Sequence, residues 1–150
     1  MRHTSPSLCL LPVLAGLFAA GLTAGCRDLV APQSTAWEGE LQPIGPEQIQ
    51  GSIAIISRSG RSETSIQIEQ AEAGATYDWR VRSGSCQVPG DVIGGEAVYA
   101  ALVANSTGTA EGGAVLSREL DAGAAYAAWL SQATGVEDVL VACGEILRLT

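Results

Sequence analysis

The chain has 150 residues and a formal net charge of −8, and it contains no lysine. An acidic protein of this kind repels phosphates and anionic lipid headgroups, which excludes nucleic-acid binding and electrostatic docking on anionic membranes. The length suits one ordinary domain with a substantial hydrophobic core.

The first 25 residues have the layout of an export signal. Arg2 supplies a positive start, and the run over 8–22 is almost wholly apolar but shorter than the ~20 residues of a transmembrane helix. Residues 22–26, Leu-Thr-Ala-Gly-Cys, resemble the lipobox of bacterial lipoproteins, in which the cysteine is acylated and becomes the new N-terminus. The resemblance implies a signal peptide over 1–25 and a lipid on Cys26.

Two alternatives for this segment stay open, because Thr23 stands where the lipobox usually has leucine. An ordinary signal peptidase could cut after Gly25 and release a secreted protein, or the segment could persist as an uncleaved anchor. Either kind of cleavage discards Cys9. Arg27, directly after the cysteine, favours sorting of a lipoprotein to the outer membrane of a two-membrane bacterium.

Cleavage would leave a domain without histidine, since His3 is the only one in the chain. This excludes most metal sites, the usual general bases, and Ser–His or Cys–His nucleophile pairs. Of the four cysteines, Cys86 and Cys143 would remain beside Cys26. In an exported chain these two most simply form one disulfide, the alternative being two separate buried thiols.

An all-β domain over 37–150 is predicted to follow a short polar tether over 26–36. Short apolar runs alternate with turn residues, and Tyr77, Trp79 and Val81 alternate with polar residues. Period-two alternation places one set of side chains in a core and the other in water. Eight strands are predicted, over residues 37–42, 50–57, 62–70, 76–82, 97–104, 108–117, 124–132 and 138–147.

The stretch 122–130 also has an interpretation as a helix, because it is rich in alanine and places Tyr126 and Trp129 three residues apart. The β-like neighbours on both sides favour a strand. Eight strands in a domain of this size predict a Greek-key sandwich or flattened barrel. The segment 86–96 is the longest predicted loop, and we expect it to be the most variable surface.

Three segments of the domain resemble the copper/zinc superoxide dismutase fold and its relatives, including the chordin-type domain. They are residues 76–86, residues 141–146 and the early strand over 51–55. In that family a strand carries His-x-His before a glycine and a cysteine, and this cysteine pairs with one in a late Ala-Cys-Gly. The resemblance covers roughly residues 37–147 and implies a β-sandwich with a Cys86–Cys143 disulfide.

The chain departs from this family at the metal-binding positions. Arg80 and Arg82 stand where the family has its His-x-His copper ligands, and Leu140 stands where it has a substrate-guiding arginine. A guanidinium stays protonated and has no lone pair to donate to a metal ion. We therefore expect the fold without a metal, a cofactor or dismutase activity.

Charged side chains offer two further candidate sites, each with a simpler structural explanation. Arg80 and Arg82, with Asp78 on the same strand face, could bind a small anion, but arginines on a solvated face commonly pair with neighbouring carboxylates. Four acidic residues could hold Ca²⁺, but they lack the spacing of a calcium loop. We predict a scattered acidic surface for these four, Glu69, Glu72, Asp91 and Glu96.

Aromatic residues and one sequon complete the candidates. Trp37, Trp79 and Trp129 could line a ligand groove, but they are predicted to lie in the core or at its edge. Residues 105–107, Asn-Ser-Thr, match a glycosylation sequon and are predicted to form a turn. No pair of carboxylates is placed across a cleft as glycoside hydrolysis requires.

These observations predict one function and leave two alternatives. The first is a lipid-anchored module of the cell envelope, non-catalytic and either structural or interacting. Its partners are a membrane, through the lipid, and an envelope protein. The second is a small-molecule or anion-binding protein that uses the Arg80/Arg82 face. The third is an enzyme that uses carboxylates alone.

Overall fold

The computed structural model describes residues 34–133 and 138–150, and this part of the chain is all-β. The predicted signal peptide, Cys26 and most of the tether lie outside the described residues. One turn of 3₁₀ helix spans Glu96–Val98. The nine strands are β1 (Thr35–Pro43), β2 (Gln50–Arg58), β3 (Arg61–Glu69), β4 (Thr76–Gly84), β5 (Pro89–Val92), β6 (Leu102–Val103), β7 (Ala110–Leu116), β8 (Tyr126–Ala133) and β9 (Asp138–Arg148).

The strands form one antiparallel sheet in the order β5-β4-β8-β9-β1-β2-β3-β7, with β6 also paired to β4. β9 pairs with β8 on one side and with β1 on the other, so it joins the two halves of the sheet. Because β1, β2 and β3 follow each other and β9 returns beside β1, the order is of the Greek-key kind. The curled sheet encloses one core, which confirms the predicted all-β sandwich or flattened barrel.

Alternate residues of each strand build this core, as the period-two pattern predicts. In β4, the side chains of Tyr77, Trp79 and Val81 have no exposed surface. The Trp79 ring meets the edge of Tyr99 with 4.8 Å between ring centroids, and its indole N–H donates to the Ala100 carbonyl at 2.9 Å. Trp79 is therefore well packed, and its buried N–H group has a hydrogen-bond acceptor. The same bond connects the segment after β5 to the centre of β4.

The hairpin of β2 and β3 closes through the two-residue turn Ser59-Gly60. Both residues have positive φ, 52° and 82°, and Arg58 and Arg61 form the closing pair. Two-residue hairpin loops require this left-handed backbone because it matches the twist of the strands. Glycine supplies it without steric cost, which explains the turn at this point of the sequence.

The prediction of a strand over 97–104 is wrong. The segment instead forms the 3₁₀ turn and the two-residue strand β6, with Tyr99, Leu102 and Ala104 buried. Burial at these unequal spacings belongs to a covering segment that packs over the edge of the sheet. A short apolar run indicates burial without indicating strand pairing, so the sequence misassigned it.

Two neighbouring predictions have different outcomes. The segment 86–96, predicted as a loop, contains the short edge strand β5. The helical alternative for 122–130 is excluded, since β8 begins at Tyr126. Tyr126 is buried on the core side while Trp129 is half-buried on the opposite face, as residues three apart in a strand must be.

Candidate functional site

The outer face of β4, β8 and β9 carries the residues that the dismutase resemblance singles out. Strand register places Arg80 opposite Trp129 and Trp129 opposite Cys143, so these side chains form one row across three strands. Alternation puts this row on the face away from Trp79 and Val81. The predicted functional arginines are therefore surface residues of the sheet.

Arg82 is held by two neighbours. Its Nε–H donates to the Gly90 carbonyl of β5 at 3.0 Å, and its guanidinium carbon lies 5.6 Å from the centre of the Trp129 ring. A guanidinium over a tryptophan face is attracted by the ring quadrupole. Arg82 thus fastens the edge strand β5 to β8 and covers Trp129.

Arg80 is also engaged within the protein. Its Nη1 donates to the Trp79 carbonyl at 2.8 Å and lies 3.8 Å from Asp78 Oδ1. Its guanidinium carbon lies 6.0 Å from the centre of the Tyr99 ring. Burial raises the pKa of Tyr99 to about 12, and the positive charge of Arg80 opposes part of that rise.

Arg80, Arg82 and Leu140 come together at one recess of about 230 Å³, which we call the arginine recess. It is also lined by Trp129 and by two carboxylates, Glu96 and Asp138. The acidic side chains balance the two guanidinium groups, so the recess carries little excess positive charge. In the described part of the chain, the ion pair at the recess joins Arg80 to Asp78, and Glu96 and Asp138 offset the remaining positive charge from a greater distance, which disfavours a strong anion site.

The residues of the arginine recess do not fit copper or zinc. Both central positions hold guanidinium groups, which cannot coordinate a cation, and Leu140 offers no donor atom. Across residues 34–133 and 138–150, no three His, Cys, Asp or Glu side chains are grouped as metal ligands. The four acidic residues considered for Ca²⁺ are exposed and not brought together: Glu69, Glu72, Asp91 and Glu96.

Cys86 and Cys143 form a disulfide with 6.0 Å between their Cα atoms, which confirms the predicted pairing. The bond joins the segment after β4 to the middle of β9. Its loop is also fixed by the Cys86 N–H, which donates to Glu145 Oε1 at 2.9 Å. The bond therefore fastens the outer face next to Trp129.

The remaining candidates are placed as follows. Trp37 and Trp79 are buried in the core as predicted, whereas Trp129 lies half-buried on the outer face beneath Arg82. The predicted turn at Asn105 is confirmed. The Asn105 side-chain oxygen accepts the backbone N–H groups of Thr107 and Thr109 at 2.9 and 3.1 Å.

A larger concavity of about 650 Å³, the acidic groove, lies on the outer face of β1 and β9 beside the disulfide. This groove was not predicted from the sequence. The signal was present in the acidic residues that alternate along β1 and in the exposed leucines at the end of β9. The groove is lined by the disulfide and by Glu38, Glu40, Glu145, Ile44, Leu147 and Leu149.

Neither protein families nor curated proteins add a relationship to these observations. Within residues 34–133 and 138–150, there is no helix whose length and apolar character would let it cross a membrane. The chain matches no protein-family model, and no curated protein matches it.

Proposed function

We propose that the protein is a lipid-anchored module of the cell envelope, with a dismutase-like or chordin-type β-sandwich that serves in interaction rather than catalysis. The Cys86–Cys143 disulfide supports an exported protein, because disulfides persist in oxidising compartments. The lipobox-like residues 22–26 support attachment through Cys26. The acidic groove supports an interaction role, because exposed apolar side chains grouped in a concavity mark binding surfaces.

The arrangement of the arginine recess carries the non-catalytic part of the proposal. Arg80, Arg82 and Leu140 occupy the positions that the resemblance assigns to chemistry, and they line one recess. Each arginine donates a hydrogen bond to a backbone carbonyl, at Trp79 and at Gly90. Arg82 fastens β5 to β8, whereas the Arg80 bond stays within β4, and neither guanidinium provides a metal ligand or a base at neutral pH.

Fatty-acid labelling in a bacterial host tests the anchor. The wild-type chain is compared with Cys26→Ser and with the matched control Cys9→Ser, whose cysteine lies inside the segment predicted to be removed. We expect label in wild type and in Cys9→Ser and none in Cys26→Ser. Equal labelling of Cys26→Ser would show that this cysteine is not the acylation site.

Metal analysis and a dismutase assay of the purified protein test the loss of the family chemistry. We expect substoichiometric copper and zinc after growth with both metals, and no dismutase activity above that of the free ions. Stoichiometric copper that survives gel filtration would contradict the proposal, since it would require ligands other than those of the family.

Binding of a small anion in the arginine recess is a second candidate function. The observation that favours it is the meeting of Arg80 and Arg82 at one recess beside Trp129, while Glu96 and Asp138 oppose it. Calorimetric titration with inorganic phosphate distinguishes an anion-binding recess from a purely structural one. Saturable binding that is lost in Arg82→Gln and kept in Arg118→Gln would establish the anion site in place of a purely structural recess.

A further inference from the structure

The acidic groove exposes three large apolar side chains. Leu147 is 68% exposed, Leu149 46% and Ile44 38%, and all three line the same concavity beside the Cys86–Cys143 disulfide. Isolated apolar residues on a surface are ordinary, but a grouped set in a concave site is typical of an interaction surface. The free energy gained by covering them is available to a partner.

Three carboxylates surround this apolar floor. Glu38 pairs with Leu147 across the strands, and Gln42 pairs with Cys143. The same register places Glu40 opposite Glu145, between these two pairs. Like charges directly opposite each other on neighbouring strands destabilise a sheet. The acidic groove thus concentrates negative charge at neighbouring positions, where the repulsion between Glu40 and Glu145 opposes folding.

No arginine offsets this charge within the described part of the chain. The ion pairs found there join arginines to Glu63 or to Asp78, and no basic residue lines the acidic groove. Glu145 accepts one N–H, from Cys86, which leaves its second oxygen and the carboxylates of Glu38 and Glu40 facing solvent or a partner. The arginine recess, by contrast, has acids in place.

We propose that the acidic groove binds a positively charged, apolar segment of a partner polypeptide. The segment carries arginine or lysine side chains next to large aliphatic ones. Its cations offset the repulsion among the three glutamates, and its apolar side chains cover Leu147, Leu149 and Ile44. This inference rests on the proposed interaction function and names the chemical class of its partner.

The dimensions of the acidic groove suit an extended segment. Its lining on β1 runs from Glu38 to Ile44, a strand length of roughly 20 Å at ~3.3 Å per residue. An extended peptide of about six residues spans that distance. Because successive side chains of an extended segment point to opposite faces, we expect every second position of the partner, the set that faces the groove, to include both basic and apolar side chains.

Titration of the full chain, purified in a neutral detergent, with fluorescent ten-residue peptides tests this proposal. The probes repeat Arg-Arg-Leu-Leu, Arg-Arg-Ser-Ser and Glu-Glu-Leu-Leu, so that each face of an extended peptide carries both residue types; they are called the Arg–Leu, Arg–Ser and Glu–Leu peptides. We expect saturable binding of the Arg–Leu peptide, at least tenfold weaker binding of the other two, and weaker binding at high salt. Equal affinity for the Arg–Ser or the Glu–Leu peptide would overturn the proposal, since it requires both chemistries.

Variants locate the site. Glu38→Gln with Glu40→Gln removes two charges, and Leu147→Ser removes a largely exposed apolar side chain. The matched controls outside the acidic groove are Glu111→Gln and Val115→Ser, the latter at a residue 57% exposed. We expect at least tenfold weaker Arg–Leu binding in each groove variant and unchanged binding in the controls. Wild-type affinity in the groove variants, or an equal loss in the controls, contradicts the assignment.

A second measurement needs no variant and therefore still tests the proposal if a groove variant fails to fold. Amide chemical-shift changes in the wild-type chain on addition of the Arg–Leu peptide should map to residues 38–44 and 143–149, and changes confined elsewhere would exclude the acidic groove. These experiments do not depend on acylation or metal content. If Cys26 is not acylated but the Arg–Leu peptide binds, only the proposed envelope function is refuted. If Cys26 is acylated but the peptide does not bind, only the proposed partner is refuted.

Discussion

The arginine recess and the acidic groove lie on one outer face of the sheet. They differ in that charges of both signs line the recess, whereas only negative charges line the groove. Strand register runs from Arg80 through Trp129 and Cys143 to Gln42, so a single row connects them. In the recess, the two guanidinium groups contact backbone carbonyls, the rings of Tyr99 and Trp129 and, for Arg80, the carboxylate of Asp78. In the groove, three glutamates have no cation. Charge that the fold compensates serves stability, whereas charge that it leaves uncompensated is available for binding.

Opening the disulfide is the largest expected perturbation, because the bond stands between the two regions. Cys86 and Cys143 are 57 positions apart in sequence, and closing such a loop is worth ~4 kcal/mol by chain entropy. The double variant Cys86→Ser/Cys143→Ser should lose about that much free energy of unfolding in urea titrations. A loss below about 1 kcal/mol would show that β9 holds the face together without the bond.

Alkaline pH tests the packing around Arg80, because the Arg80 guanidinium lies over the ring of Tyr99. Its pKa is raised from 10.0 to about 12, chiefly by burial, so the folded state keeps a proton that the unfolded state releases. The contribution of Tyr99 to the free energy of unfolding is therefore fully present below pH ~10 and is lost as the pH rises towards about 12. Ultraviolet titration should show a tyrosinate step at about pH 12 that Tyr99→Phe abolishes. Persistence of that step in Tyr99→Phe would assign the raised pKa to another tyrosine.

A methyl group at Gly144 tests how closely β1 and β9 approach beneath the acidic groove. A Cβ there would meet the backbone of Glu40, with its carbonyl carbon at 2.7 Å, and backbone atoms cannot rotate away. Gly144→Ala should cost about 1–3 kcal/mol. The matched control Gly123→Ala meets only Asp121 Oδ1 at 3.6 Å and should stay within about 0.5 kcal/mol of wild type. Equal effects would mean that the strands separate freely.

Removal of one guanidinium should have a smaller effect. Arg82→Met keeps the apolar stem but loses the bond to Gly90 and the contact with Trp129, at a cost of about 1 kcal/mol. Arg118→Met changes the same charge at an exposed position and should be neutral. Equal urea midpoints for the two variants would remove the structural role assigned to Arg82.

Neutralising one groove carboxylate should have the smallest effect and the opposite sign. Glu40→Gln relieves repulsion with Glu145 and should raise the free energy of unfolding by a few tenths of a kcal/mol at low salt. The gain should vanish at high salt, where charges are screened. Glu111→Gln provides the control for net charge. A loss of stability in Glu40→Gln would show that Glu40 has a stabilising partner and is not an uncompensated charge.

Most of the fold could be predicted from the sequence, and the failures have a common cause. The strand over 76–82 and the turn at Ser59-Gly60 were predictable because alternation and left-handed turn residues act locally. The stretch 97–104 was not, because apolar residues signal burial whether a segment pairs in a sheet or covers its edge. The distinction depends on which strand edge lies nearby.

The features of the candidate site also divide into those that the sequence predicted and those that only the structure revealed. The lack of histidine in the domain and the arginines at positions 80 and 82 were visible in the sequence, and they excluded the family's metal ligands from these positions. The half-buried place of Trp129 beneath Arg82 was not visible, nor was the acidic groove. Both depend on strands that are distant in the chain and adjacent in the sheet.

The sequence by itself determined the class of the fold, the two cysteines available for pairing and the chemistry available to the domain. These properties follow from residue types and from periodicities of a few residues. Only the tertiary structure decided that the Arg80/Arg82 pair is compensated while Glu38, Glu40 and Glu145 are not. The energy of a charge depends on its neighbours within a few ångströms. For the glutamates of β1 these neighbours come from β9, about a hundred residues away in the chain, and for Arg82 they come from β5 and β8.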